Sequence, residues 1–473
     1  MENILKNPGL QHIIITSLIF LEKSDIASFR LVNQDCKNIV DDPIFSLKTL
    51  SQIKDVPKDL IENWKKIIQN LQKSDSEIKY EILKELNAMF YATDVLCPKS
   101  GLFYHGAKYP LELAYKLAED KDKPELVTTI LENSDPNSYM VAPTPLIGNL
   151  RPIHIAAAFG YVQVAKKLIN NSWACSAVEF QDEHGITPMA LAAQDGHLEV
   201  VKLLLSFPGN PNIPCIDGRT PIYTAAENGH IEIVKLLMSL METPNTPTNK
   251  GRTPMHCAAY NGHIEIIRLL MSTTATPNAP ENDGWTPIHS AASSGNVEIV
   301  QLLMSSTDTP NAPDNNGWTP IHVAASNGHN EIIKLFISSI TTDTLNTPEI
   351  HGFTPMHYAA SSGNVEMVRL LMSTTATPNA PDNNGQTPIH AVAYSGHIEI
   401  VRLLMSKTDI PNAPKNNGWT PIHAAAAGGH ADIVQLLMST TDTPNAPNNT
   451  GRTPMMIAKQ KNHHKIVKLL SCF

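Results

Sequence analysis

The stretch Asn316-Gly317-Trp318-Thr319-Pro320-Ile321-His322-Val323-Ala324-Ala325-Ser326-Asn327-Gly328-His329 recurs with small changes through most of the chain. A Thr-Pro pair marks each copy, and consecutive pairs lie 33 residues apart except for one step of 35. The threonines of these pairs are Thr187, Thr220, Thr253, Thr286, Thr319, Thr354, Thr387, Thr420 and Thr453. A fixed period of this length indicates an array of stacked supersecondary units, not one globular core.

Each copy carries the signals of a tight turn followed by a short helix. Asn316-Gly317 is a dipeptide that accepts positive φ at the tip of a hairpin. Thr319 offers a hydroxyl as N-cap, and Pro320 fits the first helical position, where its missing N–H costs nothing. We therefore predict a first helix that runs from Ile321 to Asn327 and ends at Gly328, which supplies a left-handed C-cap.

A second helix follows in every copy, as in His263 to Ser272 and His397 to Ser406. It is too short to be stable alone, and it is apolar around much of its circumference. Both of its flanks must therefore be covered by neighbouring copies. A loop such as Thr309 to Pro313 returns to the next hairpin.

The pattern T-P-[IM]-H-x-A-A-x-x-G-H-x-E-I-V-x-L-L resembles the ankyrin repeat. The resemblance implies an all-α solenoid of helix-turn-helix units joined by short β-hairpin loops, with ten or eleven units in residues 108–473. The family pattern has a glycine at the end of the second helix, and this chain does not, so we expect a less regular helix end. The positions that replace this glycine are Thr274, Thr307, Thr375, Thr408 and Thr441.

The outermost copies are degenerate. Tyr109 to Ala114 and Pro124 to Glu132 keep the two-helix skeleton without the motif. In the last copy, Met456 replaces the histidine, Lys459 an alanine and Asn462 the glycine, which predicts a capping repeat with a polar outer face.

The single long step contains two additional residues. They fall between Ser339 and Thr344, so we expect one longer loop there.

Residues 1–50 differ from the repeats and read as three short helices. Their pattern resembles an F-box, carried by Leu10, Ile14, Leu18, Leu21, Asp25-Ile26, Phe29-Arg30-Leu31-Val32-Asn33, Asp42-Pro43, Phe45 and Leu47. The resemblance implies docking onto the adaptor of a cullin-type ubiquitin ligase. The candidate adaptor-binding residues are Leu10, Leu18, Leu21, Phe29, Leu31 and Pro43. The alternative is that these helices only cap one end of the solenoid. Residues 51–107 are predicted to form a helical spacer and a linker.

Composition excludes several classes of protein. The net charge of −9 argues against a nucleic-acid partner. Six scattered cysteines without paired spacing fit free thiols in a reducing compartment. The most apolar early run, Leu10 to Leu21, is too short and too polar to span a bilayer. We therefore expect a protein of the cytoplasm, with the nucleus as the alternative, and no membrane partner.

Nineteen histidines suggest a metal site, but most of them recur at two repeat phases. Histidines related by the repeat lie about 10 Å apart, the distance between packed helices, which is too far for shared metal coordination. We interpret them as structural, with the first set, such as His322, bonding a hairpin to its neighbour. The chain contains no phosphate-binding loop, nucleophile elbow or zinc-protease motif, so we expect no cofactor and no enzymatic activity.

The position before each Thr-Pro pair is the candidate partner-binding feature, because it carries large aromatics in four copies. These are Trp285, Trp318, Phe353 and Trp419, and the polar residues that accompany them are Asn315, Asn316, Ser326, Asn327 and Tyr394. Exposed aromatics with a polar rim are typical of protein-binding surfaces. The alternative is that each ring lies flat on the next hairpin and stiffens the stack. Because the rim has few charges, we expect weakly salt-dependent binding of a protein or peptide.

The predicted function combines the two regions. The array would hold a target protein while the N-terminal module holds the ligase adaptor, and the chain itself would perform no covalent step. The alternative is a non-catalytic scaffold whose N-terminal helices only cap the solenoid.

Overall fold

The computed structural model describes parts of residues 111–133 and residues 150–171, 177–274, 276–340, 345–375 and 377–471. The predicted F-box-like module (1–50) and spacer (51–107) lie outside the described residues. The chain divides into two compact units, residues 1–240 and 241–473.

The described part of the first unit consists of short helices, most of them in consecutive pairs. Their bounds are α1 Pro124–Asn133, α2 Pro152–Ala158, α3 Val162–Asn171, α4 Pro188–Gln194, α5 Leu198–Leu205, α6 Pro221–Glu227 and α7 Ile231–Met238, with a 3₁₀ turn at Ala177–Glu179.

In the second unit, the described residues form seven further pairs of helices. Their bounds are α8 Pro254–Asn261, α9 Ile264–Met271, α10 Pro287–Ser294, α11 Val297–Met304, α12 Pro320–Asn327, α13 Asn330–Ser339, α14 Pro355–Ser361, α15 Val365–Met372, α16 Pro388–Ser395, α17 Ile398–Met405, α18 Pro421–Gly428, α19 Ala431–Met438, α20 Pro454–Gln460 and α21 His464–Leu470. Within each unit, the helices of one repeat pack on those of the next, in sequence order. This confirms the predicted stacking.

Two side chains cap the start of the first helix. Thr319 takes the N-cap position, and its hydroxyl accepts the N–H of His322 at 3.4 Å. Asn311, from the preceding loop, accepts the N–H of Ile321 at 3.2 Å. The same asparagine cap recurs at 3.1 Å between Asn278 and Ile288. The recurring Pro-Asn-Ala-Pro loop thus contributes to the next helix, because two N–H groups without intrahelical partners both find acceptors.

The first helix ends as predicted. Gly328 follows α12 with φ of 82° and forms a left-handed C-cap. In the last repeat Asn462 takes this conformation with φ of 63°, and among the described residues it is the non-glycine residue with positive φ. The exposed side chains of Lys459 and Lys461 beside it fit the predicted capping repeat.

The second helices are one residue shorter at each end than predicted. His263 and His397 are N-cap residues, and Ser272 and Ser406 are C-cap residues. At this helix end, serine hydroxyls bond to the last carbonyls in place of a left-handed glycine cap. Ser305 donates to Leu302 O at 2.6 Å, and Ser306 donates to Leu303 O at 2.7 Å. Carbonyls without intrahelical partners are thereby satisfied without a left-handed residue.

The connecting turns differ from the predicted β-hairpins. The part of the chain that the structure describes contains no β-strand, although Asp314 N–H donates to Trp318 O at 2.7 Å and Gly317 N–H donates to Asp314 O at 3.0 Å. Gly317 has positive φ, but Asn316 does not. In a three-residue loop made of a type I turn followed by a left-handed residue, only that last residue needs positive φ. We call each such five-residue segment a finger. In this repeat the finger runs from Asp314 to Trp318.

The two additional residues of the long step lengthen a helix, so the prediction of a longer loop was wrong. Helix α13 has ten residues, whereas α11 and α15 have eight. Phe336 in α13 is completely buried, and Leu345 after it is also buried. Extending the helix satisfies the added backbone groups internally, which a longer loop would not do.

The core of each repeat consists of small and branched aliphatic side chains. Ala324 and Ala325 in α12 and Ile332 and Ile333 in α13 have no exposed surface. Alanines on the first helices allow these helices to approach closely, as predicted. Among the described residues, no helix is long and apolar enough to cross a membrane.

Candidate partner-binding surface

In most repeats a buried histidine links the first helix to the next finger. His322 Nδ1 accepts the N–H of Thr319 at 3.2 Å, so its Nε2 carries the proton and donates to Phe353 O at 3.1 Å. His289 makes the equivalent bond to Trp318 O at 3.0 Å. Burial lowers the pKa of both imidazoles to about 4, so both are neutral at pH 7. The predicted structural role of these histidines is confirmed.

The second set of histidines links repeats in the opposite direction. His329 Nε2 bonds to Ser293 O of the preceding repeat at 3.2 Å, and His430 Nε2 bonds to Tyr394 O at 3.0 Å. Within the described ranges, no group of three or more His, Cys, Asp or Glu side chains could hold a metal ion.

Each of the four aromatic residues before a Thr-Pro pair lies against the histidine of its own repeat. The ring centroids are 4.9 Å apart for Trp285 and His289, and 5.3 Å apart for Trp419 and His423. The indole Nε1–H of Trp285 also donates to Ser290 Oγ at 3.1 Å. These rings are half-buried, neither enclosed in the core nor free in solvent.

Tyr358 connects two of the aromatic rings. Its ring centroid lies 4.7 Å from that of Trp318 and 6.0 Å from that of Phe353. Burial, with a contribution from the Glu349 carboxylate, raises the pKa of Tyr358 to about 12. Sequence analysis did not select Tyr358. Its signal was the aromatic residue in His357-Tyr358-Ala359, where the other copies have small or aliphatic residues.

Trp285, Trp318 and Phe353 stand in consecutive repeats, and we call them the aromatic row. Trp419 lies two repeats further along and is separated from the row by Gln386 at the equivalent position. Trp318 packs across repeats, on Tyr358 of the following repeat. Their half-buried state leaves part of each ring accessible.

The predicted rim residues fall into two groups. Asn316, Ser326, Asn327 and Tyr394 are exposed, and Tyr394 has an exposed fraction of 61%. Asn315 is exposed as well, but its side-chain amide donates to Asn282 O at 3.1 Å.

That bond belongs to a series that sequence analysis missed. The amide of Asn282 donates to Asn249 O at 3.0 Å, and the amide of Asn416 donates to Asn383 O at 3.1 Å. The sequence signal for this series was an asparagine four residues before the threonine of the Thr-Pro pair in most copies. Asn315 therefore serves the stack as well as the rim.

A groove of about 750 Å³ lies elsewhere in the second unit, beside the lengthened helix α13. Met304, Leu335 and Ile340 line it together with the loop Thr307 to Pro313, and none of the predicted partner-binding residues does. The predicted adaptor-binding residues Leu10, Leu18, Leu21, Phe29, Leu31 and Pro43 lie outside the described residues.

Comparison with known proteins agrees with the geometry of the repeats. A segment of 54 residues is 39% identical to the human transient receptor potential cation channel subfamily A member 1. It covers 11% of this chain and only 5% of the length of that relative. A family model described as ankyrin repeats (3 copies) matches residues 114–215, 207–281, 274–347, 340–414 and 410–472. Its repeats have two helices each, and most carry a capping threonine and a linking histidine at the same positions. Because the family model also matches most of its length, the chain belongs to the ankyrin repeat family.

Proposed function

We propose that the array holds a protein target through the aromatic row and its exposed rim. Ankyrin repeats are protein–protein interaction modules. The observation that supports this surface is the half-buried state of three large aromatic rings in consecutive repeats. Partly accessible aromatics supply much contact area for little loss of conformational entropy. Packing of Trp318 on Tyr358 holds its ring in place before the partner binds, which reduces the ordering cost.

Removing rings from the row should weaken binding of the partner. We expect Trp318→Ala and Trp285→Ala each to lower the affinity about tenfold or more, as for interface anchors. The partner would be isolated by crosslinking to the full chain, and its affinity for each variant measured by titration. Arg369→Ala, on the exposed face of α15, is the control and should bind as the parent does. Unchanged affinity in both tryptophan variants would remove the aromatic row from the proposal.

We further propose that the chain is the substrate receptor of a cullin-type ubiquitin ligase. The support is the resemblance of residues 1–50 to an F-box, through Leu10, Leu18, Leu21, Phe29 and Leu31. In this role the chain bridges two proteins in the cytoplasm or nucleus and performs no covalent step.

The ligase role predicts that the two binding activities can be separated. Leu18→Asp in the full chain should abolish capture of the cullin adaptor but retain the target, because it places a charge on the apolar adaptor-binding face. Trp318→Ala should retain capture of the adaptor and weaken capture of the target. Quantitative pull-down of the adaptor, with a chain starting at Lys108 as the negative control, measures this. Equal recovery of the adaptor with and without residues 1–107 would leave the non-catalytic scaffold as the function.

A further inference from the structure

Every member of the aromatic row has a carboxylate at its own backbone amide. Trp285 N–H donates to Asp283 Oδ1 at 3.1 Å, and Trp318 N–H donates to Asp314 Oδ1 at 2.8 Å. Phe353 N–H donates to Glu349 Oε1 at 3.0 Å. Each member of the aromatic row therefore has an acidic side chain bonded to its backbone within the same finger.

The fourth aromatic provides an internal comparison. Trp419 N–H donates to the neutral Asn417 Oδ1 at 3.1 Å, and its finger contains Lys415. The same hydrogen bond can thus be made without a charge. The carboxylates of the aromatic row are therefore not needed to form the turn.

Charge along the fingers and first helices of the second unit is segregated in the same way. In residues 281–295, 314–328, 349–363 and 382–396 the acidic side chains are Glu281, Asp283, Asp314, Glu349 and Asp382, and Lys and Arg do not occur. The preceding repeat contains Lys250 and Arg252 in its finger, and the later repeats contain Lys415 and Arg452. The region without Lys or Arg thus covers the aromatic row and extends over one further repeat, that of Gln386, before Lys415.

We propose that the aromatic row binds a partner segment that presents Lys or Arg side chains, one to each ring. This rests on the proposed protein-binding function and specifies the partner for the same surface. A cation over an aromatic face is attracted by the ring quadrupole, and a nearby carboxylate adds Coulombic attraction. Arg fits best, because its planar guanidinium can stack on a ring and also bond to a carboxylate.

The spacing of the repeats sets the spacing of the cations. Neighbouring repeats place equivalent residues about 10 Å apart. A polyproline II chain has three residues per turn and advances about 3.1 Å per residue, so basic residues at every third position lie on one face about 9 Å apart. A segment of about seven residues would then reach all three rings. The exposed rim alone predicted weak salt dependence, but binding of this segment should weaken as salt rises, because its charges are partly exposed.

Synthetic peptides test the proposal directly. A dye-labelled peptide with Arg at every third position, separated by Gly and Ser, is titrated with the full chain by fluorescence anisotropy. Peptides with Leu or Glu at the same positions, and one with the three Arg residues adjacent, are the comparisons. We expect the spaced Arg peptide to bind best, the Glu peptide not to bind, and binding to weaken at higher salt.

The repeats themselves provide matched variants. Asp283→Asn and Asp314→Asn remove two charges, while Asn417 and Asn448 show that asparagine at these positions accepts the same N–H groups. The double variant should bind the spaced Arg peptide about tenfold more weakly. Trp318→Leu should weaken binding about two- to fivefold. Trp419→Leu should leave it unchanged.

Several outcomes with the peptides and the variants would overturn the proposal. The first is that the Leu peptide binds as tightly as the spaced Arg peptide, or more tightly. The second is that the Asp283→Asn, Asp314→Asn double variant binds the spaced Arg peptide with unchanged affinity. The third is that the double variant Glu331→Gln, Glu366→Gln, which alters exposed carboxylates on α13 and α15, loses as much affinity as Asp283→Asn, Asp314→Asn does. Absence of binding to every peptide also rejects it. The proposed protein-binding function is judged separately, by the effect of Trp318→Ala on the isolated partner.

Discussion

Lowering the pH from 7 to 5 is expected to destabilise the repeats severely, through the buried histidines of the first set. Burial lowers the pKa of His256, His289, His322 and His390 to about 4. Each imidazole donates its one N–H to a carbonyl of the next finger and accepts an N–H at the other nitrogen. Protonation would place an uncompensated charge in the core and end the acceptance of that N–H bond.

The direction and the pH window follow from the two pKa values. The unfolded chain binds these protons below about pH 6.5, whereas the folded chain binds them only near pH 4. The neutral histidines therefore make their full contribution to the free energy of unfolding above pH 6.5. That contribution is lost as the pH falls from 6.5 to 4. At pH 5 each histidine costs about 2 kcal/mol. Four such losses are comparable to the whole stability of a typical domain, about 5–15 kcal/mol.

The measurement is the free energy of unfolding by urea at several pH values. Between pH 6 and 4.5, the slope of the free energy of unfolding against pH should be smaller in His322→Gln than in the parent by about 1.4 kcal/mol per pH unit. The reason is that the variant takes up one proton fewer on unfolding. The same variant should be less stable than the parent at pH 7.5, since it lacks the bond to Phe353 O. Ser326→Ala, an exposed position without a titratable group, is the control. A slope in His322→Gln equal to that of the parent would contradict the assignment.

Gly396→Ala is expected to be among the most destabilising single substitutions in the second unit. Gly396 ends α16 with φ of 91°, a conformation that costs a residue with a Cβ about 1–2 kcal/mol. An added Cβ would also lie 2.6 Å from His430 Nδ1 and 2.8 Å from His430 Nε2. The imidazole cannot move aside without losing its bond to Tyr394 O. Strain and overpacking together should cost about 3 kcal/mol.

Gly328→Ala separates the two contributions. Gly328 has nearly the same φ, 82°, but an added Cβ there would meet no atom within 4 Å. We therefore expect a loss of only about 1–2 kcal/mol, from backbone conformation alone. Urea unfolding of both variants gives the comparison. Equal losses would mean that the His430 ring accommodates the methyl group, and the steric argument would fail.

The repeat unit was predictable because most of its signals are local. Thr319 and Pro320 define the start of a helix, and Gly328 its end, through atoms within a few residues of one another. The position of the two additional residues of the long step, in a helix or in a loop, was not predictable from the sequence. Whether they extend α13 or the loop depends on how Phe336 and Leu345 are buried by neighbouring helices.

The surface was predicted only in outline. The phase of Trp285, Trp318, Phe353 and Trp419 was visible as soon as the copies were aligned. The role of Tyr358 was not, because its contact with Trp318 joins residues 40 positions apart. The interpretations of the rings as partner anchors and as stack-stiffening groups are compatible, since a ring packed on one side remains accessible on another.

For this protein the sequence by itself determined the repeat, its caps, its helical class and the order in which copies stack. Those features follow from short-range hydrogen bonding and from the apolar flanks that each copy must cover. Only the tertiary structure decided which side chains meet across repeats: histidine with the next finger, asparagine with asparagine, and Trp318 with Tyr358. Such contacts depend on the separation and rotation between successive repeats, and these geometric quantities arise from packing the whole stack.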